Sequence, residues 1–333
     1  MKELGAGMVI TGCGSATPNQ VMTNDDLSHL VDTSDEWIRT RTGISKRHLA
    51  ATDLSLSDLS AQAAAQAITM AGLTPADIDL IILATSTADD LFGSGAKVQA
   101  ILQANNAVAF DLTAACSGFV FGLITAAQFI RTGVYQNVVV IGADILSRWV
   151  DWSDRTTCVL FGDGAGAVVC QGITDNDNLL GFAMYSDGEQ HDSLNLPYVG
   201  QEKPLKEDVT INQGTYQPIT MNGREVYRFA VAKVPEVIEK ALFKAQLTTD
   251  DIDWLILHQA NQRIIDAVAK RLKISPEKVI ANLDDYGNTS AASIPLALDE
   301  AVRQGKIKAG DVVASSGFGA GLTWGAAIFR WGV

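Results

Sequence analysis

A thiol, an imidazole and a carboxamide in this chain occupy positions from which they could act together. Cys116 lies in Thr113-Ala-Ala-Cys-Ser-Gly118, between a strand-like run at 107–112 and a helix-like run at 118–131. A strand-to-helix elbow presents its side chain to the unpaired amides and positive dipole end of the helix, which favours thiolate. The small Ala114, Ala115 and Gly118 let a substrate approach the backbone. Those are the requirements of an acyl-accepting nucleophile. His258 follows the apolar run 254–257 and opens a helix-like stretch, so it faces the crevice at a strand's carboxyl end where α/β proteins bind ligands. Asn288 sits in Tyr286-Gly-Asn-Thr-Ser-Ala-Ala-Ser293, a turn of small residues that brings backbone and amide close to whatever fills that crevice. Cys13, Cys158 and Cys170 fall in strand-like runs and read as packed thiols, and His29, His48 and His191 have no placement like that of His258.

The elements that must hold these groups come in two copies. Asp77-Ile-Asp-Leu-Ile-Ile-Leu83 returns as Asp251-Ile-Asp-Trp-Leu-Ile-Leu257, with five of seven residues identical. Each copy follows an amphipathic helix-like run, at 59–71 and 237–245, and then Leu-Thr, at Leu73-Thr74 and Leu247-Thr248. A second echo joins Phe161-Gly-Asp-Gly-Ala-Gly-Ala167 to Phe318-Gly-Ala-Gly-Leu-Thr-Trp-Gly-Ala326, both read as glycine-rich turns feeding strands. The expected fold class is α/β, two similar halves with sheets packed through shared helices. Residues 1–175 carry the cysteine, residues 176–333 carry the histidine and asparagine, and the boundary lies in the polar stretch 174–178.

Composition narrows the class of function. The 333 residues are 47% hydrophobic and 19% charged, which suits a packed enzyme rather than a disordered or repeat-array chain. A net charge of −13 argues against a general nucleic-acid surface. No apolar run reaches the roughly 20 residues needed to cross a bilayer, and Met1 to Ala6 leads into no apolar leader segment, so a cytoplasmic location without membrane insertion is expected. The cysteine spacing suggests neither a disulfide framework nor a zinc site, so no metal is expected.

Read together, Asp32-Thr-Ser-Asp-Glu-Trp-Ile38, Arg41-Thr-Gly-Ile44, Ala115-Cys-Ser-Gly118, Phe161-Gly-Asp-Gly-Ala165, His258-Gln-Ala-Asn261, Gly287-Asn-Thr-Ser-Ala-Ala-Ser293 and Gly317-Phe-Gly-Ala-Gly-Leu-Thr-Trp-Gly325 make the chain resemble the β-ketoacyl-acyl-carrier-protein synthase III family from about Met8 onward. The resemblance implies the duplicated five-layered αβαβα thiolase-like architecture, each half with a mixed sheet. It implies a Cys116-His258-Asn288 site in which the cysteine takes acetyl from acetyl-CoA. Malonyl-acyl-carrier protein then loses carbon dioxide, and its enolate attacks the acetyl-cysteine to give acetoacetyl-acyl-carrier protein, which initiates fatty-acid synthesis. His258 and Asn288 would hydrogen-bond the malonyl thioester oxygen, and the backbone amides of Cys116 and Ala320 would hold the tetrahedral oxyanion. No cofactor is implied beyond the CoA thioester itself.

The same resemblance assigns Trp37, Arg41 and Arg155 to CoA. It assigns Gln259, Ala260, Asn261, Gln262, Arg263 and Lys270 to the carrier protein, and Phe92 and Phe318 to the acyl pocket. Carrier protein is acidic, and Arg263, Lys270, Arg271 and Lys273 supply a local basic surface on an acidic chain. Leu91-Phe-Gly-Ser94 resembles a loop that crosses a homodimer interface and closes the partner's pocket. Papain-like proteases share the Cys, His, Asn order but not the duplicated halves. A degradative thiolase needs a second cysteine in the 317–321 turn, and elongating synthases place histidine where Asn288 stands. A polyketide-type or otherwise specialised condensing enzyme using a longer primer stays open beside the priming synthase. A non-catalytic scaffold would have no use for the three groups together.

Overall fold

A computed structural model describes residues 7–332; the stretch from Met1 to Ala6 read above lies outside them. The first sheet has the order Gly7–Ala16, Asp163–Ile173, Asn137–Ile145, Leu80–Ala84, Val108–Leu112. The last three strands run parallel, and Asp163–Ile173 pairs antiparallel on both sides. The second sheet repeats the plan in the order Leu179–Ser186, Thr323–Arg330, Val312–Gly319, Trp254–Leu257, Val279–Ile280, again with the last three parallel and the second strand antiparallel to both its neighbours.

The two repeat copies occupy equivalent places, since Leu80–Ala84 and Trp254–Leu257 are each the second strand from an edge with a parallel neighbour on either side. Leu80–Ala84 is buried throughout, which is why it reads as an unbroken apolar run rather than an alternating one. The Leu-Thr before each copy also has a physical role. Thr74 Oγ1 donates to Asp77 Oδ2 at 2.6 Å and Thr248 Oγ1 to Asp251 Oδ2 at 2.8 Å, matching capping boxes that start a 3₁₀ turn and deliver the chain into its strand.

Helices Gly118–Arg131 and Ser293–Arg303 lie between the sheets and pack on both. Leu56–Met70 covers the outer face of the first sheet, and Gly223–Ala245 with Gln262–Leu272 covers that of the second. The result is five layers, with a separate apolar cluster filling each space where helices meet a sheet or the two sheets face one another. The alanine-rich helix Leu56–Met70 approaches its sheet so closely that a Cβ on Gly14 would stand 2.3 Å from the Ala63 carbonyl oxygen. Between the halves, Asp177 receives Met8 N–H at 3.1 Å and Arg131 Nε at 2.6 Å, which pins the polar bridge 174–178 to the first half. Among the described residues no helix is long and apolar enough to cross a membrane.

Three local expectations need correction. The helix-like run at 237–245 is the last third of Gly223–Ala245, which starts at the Asn222 cap and continues through the buried Pro235. Cys158 lies in a turn closed by its own amide on Asp154 O at 3.0 Å, not in a strand. Gly164 and Gly166 after Phe161 belong to strand Asp163–Ile173 rather than to a turn, because neighbours on both sides pair with it. The hairpin Tyr198–Lys206 and Val209–Tyr216 gave no signal in the sequence reading; almost all of it is exposed, and only its base, through Tyr216 against Trp149 at 6.3 Å, packs on the body.

Candidate active site

Strand Val108–Leu112 ends at the 3₁₀ turn Ala115–Ser117, and helix Gly118–Arg131 follows at once. Cys116 therefore sits at a strand-to-helix elbow. The preceding Ala115 has φ +46°, a left-handed conformation that costs a residue with a Cβ of order 1 kcal/mol and persists only where the surroundings enforce it. The enforcement comes from the other half. Ser117 Oγ donates to Thr323 O at 2.8 Å, and Thr323 Oγ1 donates to Ala114 O at 3.1 Å. A Cβ on Gly319 would lie 2.7 Å from Cys116 N, so this backbone can press on the elbow only as glycine.

Burial decides the resting state of the sulfur. It pushes the Cys116 thiol up to about 12, aided by the nearby Asp144 charge and opposed by a hydrogen bond from Ser290. The helix end alone suggested a thiolate; the buried site instead holds a neutral thiol at rest, to be ionised as substrate reacts.

His258 follows Trp254–Leu257, and its amide donates to Ser316 O at 2.9 Å on the adjacent strand. Its Nδ1 lies 2.7 Å from Ser293 Oγ, an oxygen that also receives Gln259 N–H at 3.3 Å. Read with the Ser293 hydroxyl donating to Nδ1, this contact puts the ring proton on Nε2. Phe318 packs edge-on against the imidazole, ring centroids 5.2 Å apart. Asn288 is clamped at both backbone ends, N–H to Leu160 O at 2.8 Å and C=O from Gly162 N at 3.0 Å. Its Oδ1 accepts Ser290 N–H at 2.9 Å, which turns Nδ2 outward as a donor. Two N–H donors, from an imidazole and an amide, are thus held by partners that occupy their other polar atoms.

Burial also lowers the His258 pKa to about 3, so the ring is neutral at physiological pH. Below the ordinary value of 6.5 the unfolded chain takes up a proton that the folded one refuses, so this group's contribution to stability is lost as pH falls from 6.5 toward 3. Urea unfolding of the wild type and His258→Gln, compared from pH 6.5 to 4.5, should show the wild type losing about 2 kcal/mol more than the variant. Parallel losses in both proteins would disprove the buried neutral ring.

A cavity of about 1040 Å³ opens onto Cys116, Ser290 and Ala320, and Phe92 stands at its margin. Trp37, Arg41 and Arg155 form a separate surface cluster, with the guanidinium carbons of Arg41 and Arg155 lying 4.4 and 5.3 Å from the Trp37 ring centroid. Asn261 Nδ2 reaches Arg41 O at 3.0 Å and so joins this cluster to the basic helix Gln262–Leu272, where Arg263 and Lys270 are exposed. Two expected site residues are placed differently. Gln259 is buried, its Nε2 on Leu257 O at 2.7 Å and its Oε1 on Asn282 N–H at 3.0 Å, so it braces the strand end and offers nothing to a carrier protein. Phe318 backs the imidazole and, like His258 and Asn288, stands behind the lining of the cavity rather than in it. Ser290, Ser293, Gly319 and Thr323 were present in the quoted motifs but had no assigned task, because their partners are remote in sequence. Among the described residues no group of three or more His, Cys, Asp or Glu is placed to hold a metal ion.

Residues 110–188 match the family model for 3-oxoacyl-[acyl-carrier-protein] synthase III, and residues 242–331 match that for its C-terminal part. A β-ketoacyl-[acyl-carrier-protein] synthase III of Microcystis aeruginosa is 71% identical over 332 residues, covering all of both chains. The chain belongs to the β-ketoacyl-acyl-carrier-protein synthase III family. It is a condensing acyltransferase of thiolase-like fold. The Aquifex aeolicus 3-oxoacyl-[acyl-carrier-protein] synthase III superposes with TM-score 0.90 at 45% identity, covering 98% of this chain and 100% of that one. The priming β-ketosynthase of the R1128 polyketide pathway superposes nearly as well, TM-score 0.89 at 33% identity over 98% and 97% of the two chains.

Proposed function

We propose that Cys116 attacks the thioester carbon of acetyl-CoA, forming acetyl-cysteine while the thiol proton leaves with the CoA sulfur. Malonyl-acyl-carrier protein then binds, its carbon–carboxylate bond breaks, and the electron pair moves onto the thioester oxygen. His258 Nε2–H and Asn288 Nδ2–H donate to that oxygen as it becomes negative. The enolate carbon attacks the acetyl carbon, the C–S bond breaks, and the amides of Cys116 and Ala320 hold the oxyanion between. One proton from solvent balances the release of carbon dioxide, CoA and acetoacetyl-acyl-carrier protein. The observation that carries this reading is that Ser293 and Ser290 engage the other polar atoms of His258 and Asn288, leaving two N–H donors, while the carboxyl near the thiol, Asp144, is already engaged by Thr85, Ser86, Thr87 and Ala291.

Trp37 with Arg41 and Arg155 suits an adenine and its phosphates, by stacking and by guanidinium pairing. Asn261, Gln262, Arg263 and Lys270 suit an acidic carrier docking beside them, with Ala260 at the start of that surface. Phe92 is 98% exposed and Leu91 83% exposed in the single chain, which supports a homodimer that buries them against a partner's pocket and keeps the primer short. The two halves 1–175 and 176–333 are proposed as the units of duplication. Condensation assayed with acetyl-CoA against a series of longer acyl-CoA primers should give acetoacetyl product fastest. Activity confined to longer primers would reassign the chain to specialised condensation.

A further inference from the structure

The helix-end amides that favour a thiolate at Cys116 work against the depth of the site. The thiol is buried, the buried Asp144 carboxyl nearby disfavours thiolate, and the two side-chain donors of His258 and Asn288 are committed to the malonyl oxygen. One hydroxyl faces the sulfur. Ser290 Oγ lies 3.3 Å from Cys116 Sγ, in a residue 3% exposed that lines the same cavity. Ser290 has φ +52°, so the backbone is forced into the left-handed region to aim that side chain.

The forcing contacts can be named. Ser290 N–H is taken by Asn288 Oδ1 at 2.9 Å, and Ala291 N–H reaches Asp144 Oδ2 at 3.3 Å. Asp144 is itself fixed through Oδ1 by Thr85 Oγ1 at 3.1 Å, Ser86 N–H at 2.9 Å and Thr87 Oγ1 at 2.9 Å. A buried carboxyl at the strand ends therefore anchors the turn that carries Ser290 and, by engaging the Ser290 side chain as well, holds that hydroxyl between itself and the sulfur.

We propose that Ser290 is a further catalytic residue, its hydroxyl donating to the Cys116 sulfur whenever the acyl C–S bond is made or broken. The hydroxyl moves no proton overall. It donates to the developing thiolate during attack on the acyl-CoA, and again when the enolate displaces that thiolate from the acyl-enzyme. A charge-assisted hydrogen bond in a dry site is strong, and removing one such donor from a reacting centre costs on the order of 10²-fold. Asp144 is the positioning residue behind it.

The inference rests on Cys116 being the acylated residue, and the test separates the two. Acetylation of Cys116 by radiolabelled acetyl-CoA and alkylation by iodoacetamide would be followed across pH 6–10 in the wild type, Ser290→Ala and Ser290→Gly. Decarboxylation of malonyl-acyl-carrier protein, which uses His258 and Asn288 and not the sulfur, would be followed in the same proteins. Both variants keep the amide that Asn288 accepts. Expected are acetylation slowed about 10²-fold, alkylation slowed about tenfold at each pH because the thiol's pKa of about 12 lies above the range, and decarboxylation within about twofold of wild type. Wild-type rates in Ser290→Gly, which relieves φ +52° but lacks the hydroxyl, would overturn the proposal, as would unslowed alkylation. Equal loss of decarboxylation would assign Ser290 to holding Asn288 instead and overturn it too. A wild type that acquires no label on Cys116 would sink the nucleophile assignment, and this inference with it.

Discussion

Cys116→Ala is expected to form no acyl-enzyme and to lose condensation by about 10⁴-fold or more, because Cys116 is the one cysteine that lines the cavity. The fold should survive. The side chain is small, the φ +46° strain at Ala115 belongs to a neighbour, and the contacts from Ser117 and Thr323 remain. Decarboxylation of malonyl-acyl-carrier protein should persist, since the enolate oxygen is held by groups of the other half. Mass spectrometry of the protein after acetyl-CoA, beside carbon dioxide release, checks both halves of this statement. An acetylated variant would show that the nucleophile lies elsewhere.

His258→Ala and Asn288→Ala are expected to do the reverse. Acetylation of Cys116 should stay within about tenfold of wild type, while decarboxylation and condensation each fall about 10²- to 10³-fold, the usual cost of one preorganised donor. The double variant should lose less than the product of the single losses, because both donors serve one oxygen. The pH dependence adds a sign. His258 acts as a neutral donor with a pKa near 3, so the decarboxylation rate should show no ascending limb near pH 6.5. A limb there that vanishes in His258→Ala would mean that the imidazole works as a base and that the tautomer assigned from Ser293 is wrong.

Much of this arrangement was readable before the structure because local chemistry and the duplication agreed. Asp77 and Asp251 head the same capping box and feed the same strand, so matching the segments located two sheets at once. The elbow at Cys116 was visible because a half-buried strand, a run of small residues and a fourteen-residue helix succeed one another without a loop. What escaped was set by contacts across the seam. Gly319 is glycine because the Cys116 amide stands where its Cβ would be, and Ser293 matters because an imidazole thirty-five residues earlier leans on it. The neutral state of the thiol and the inward side chain of Gln259 depend on depth, which apolar periodicity reports for strands and helices but not for the residues that cap them.

The sulfur's seat belongs to one half and its walls to the other. Ser117 hangs on Thr323, and Gly317 and Gly319 lie against the elbow with no room for a methyl group. A slip of one half past the other by an ångström would leave both sheets and every helix intact while parting the nucleophile from its donors. Heat inactivation of this enzyme is then a gauge of the seam rather than of the fold, and circular dichroism, which counts helices and strands, is blind to the event that stops it.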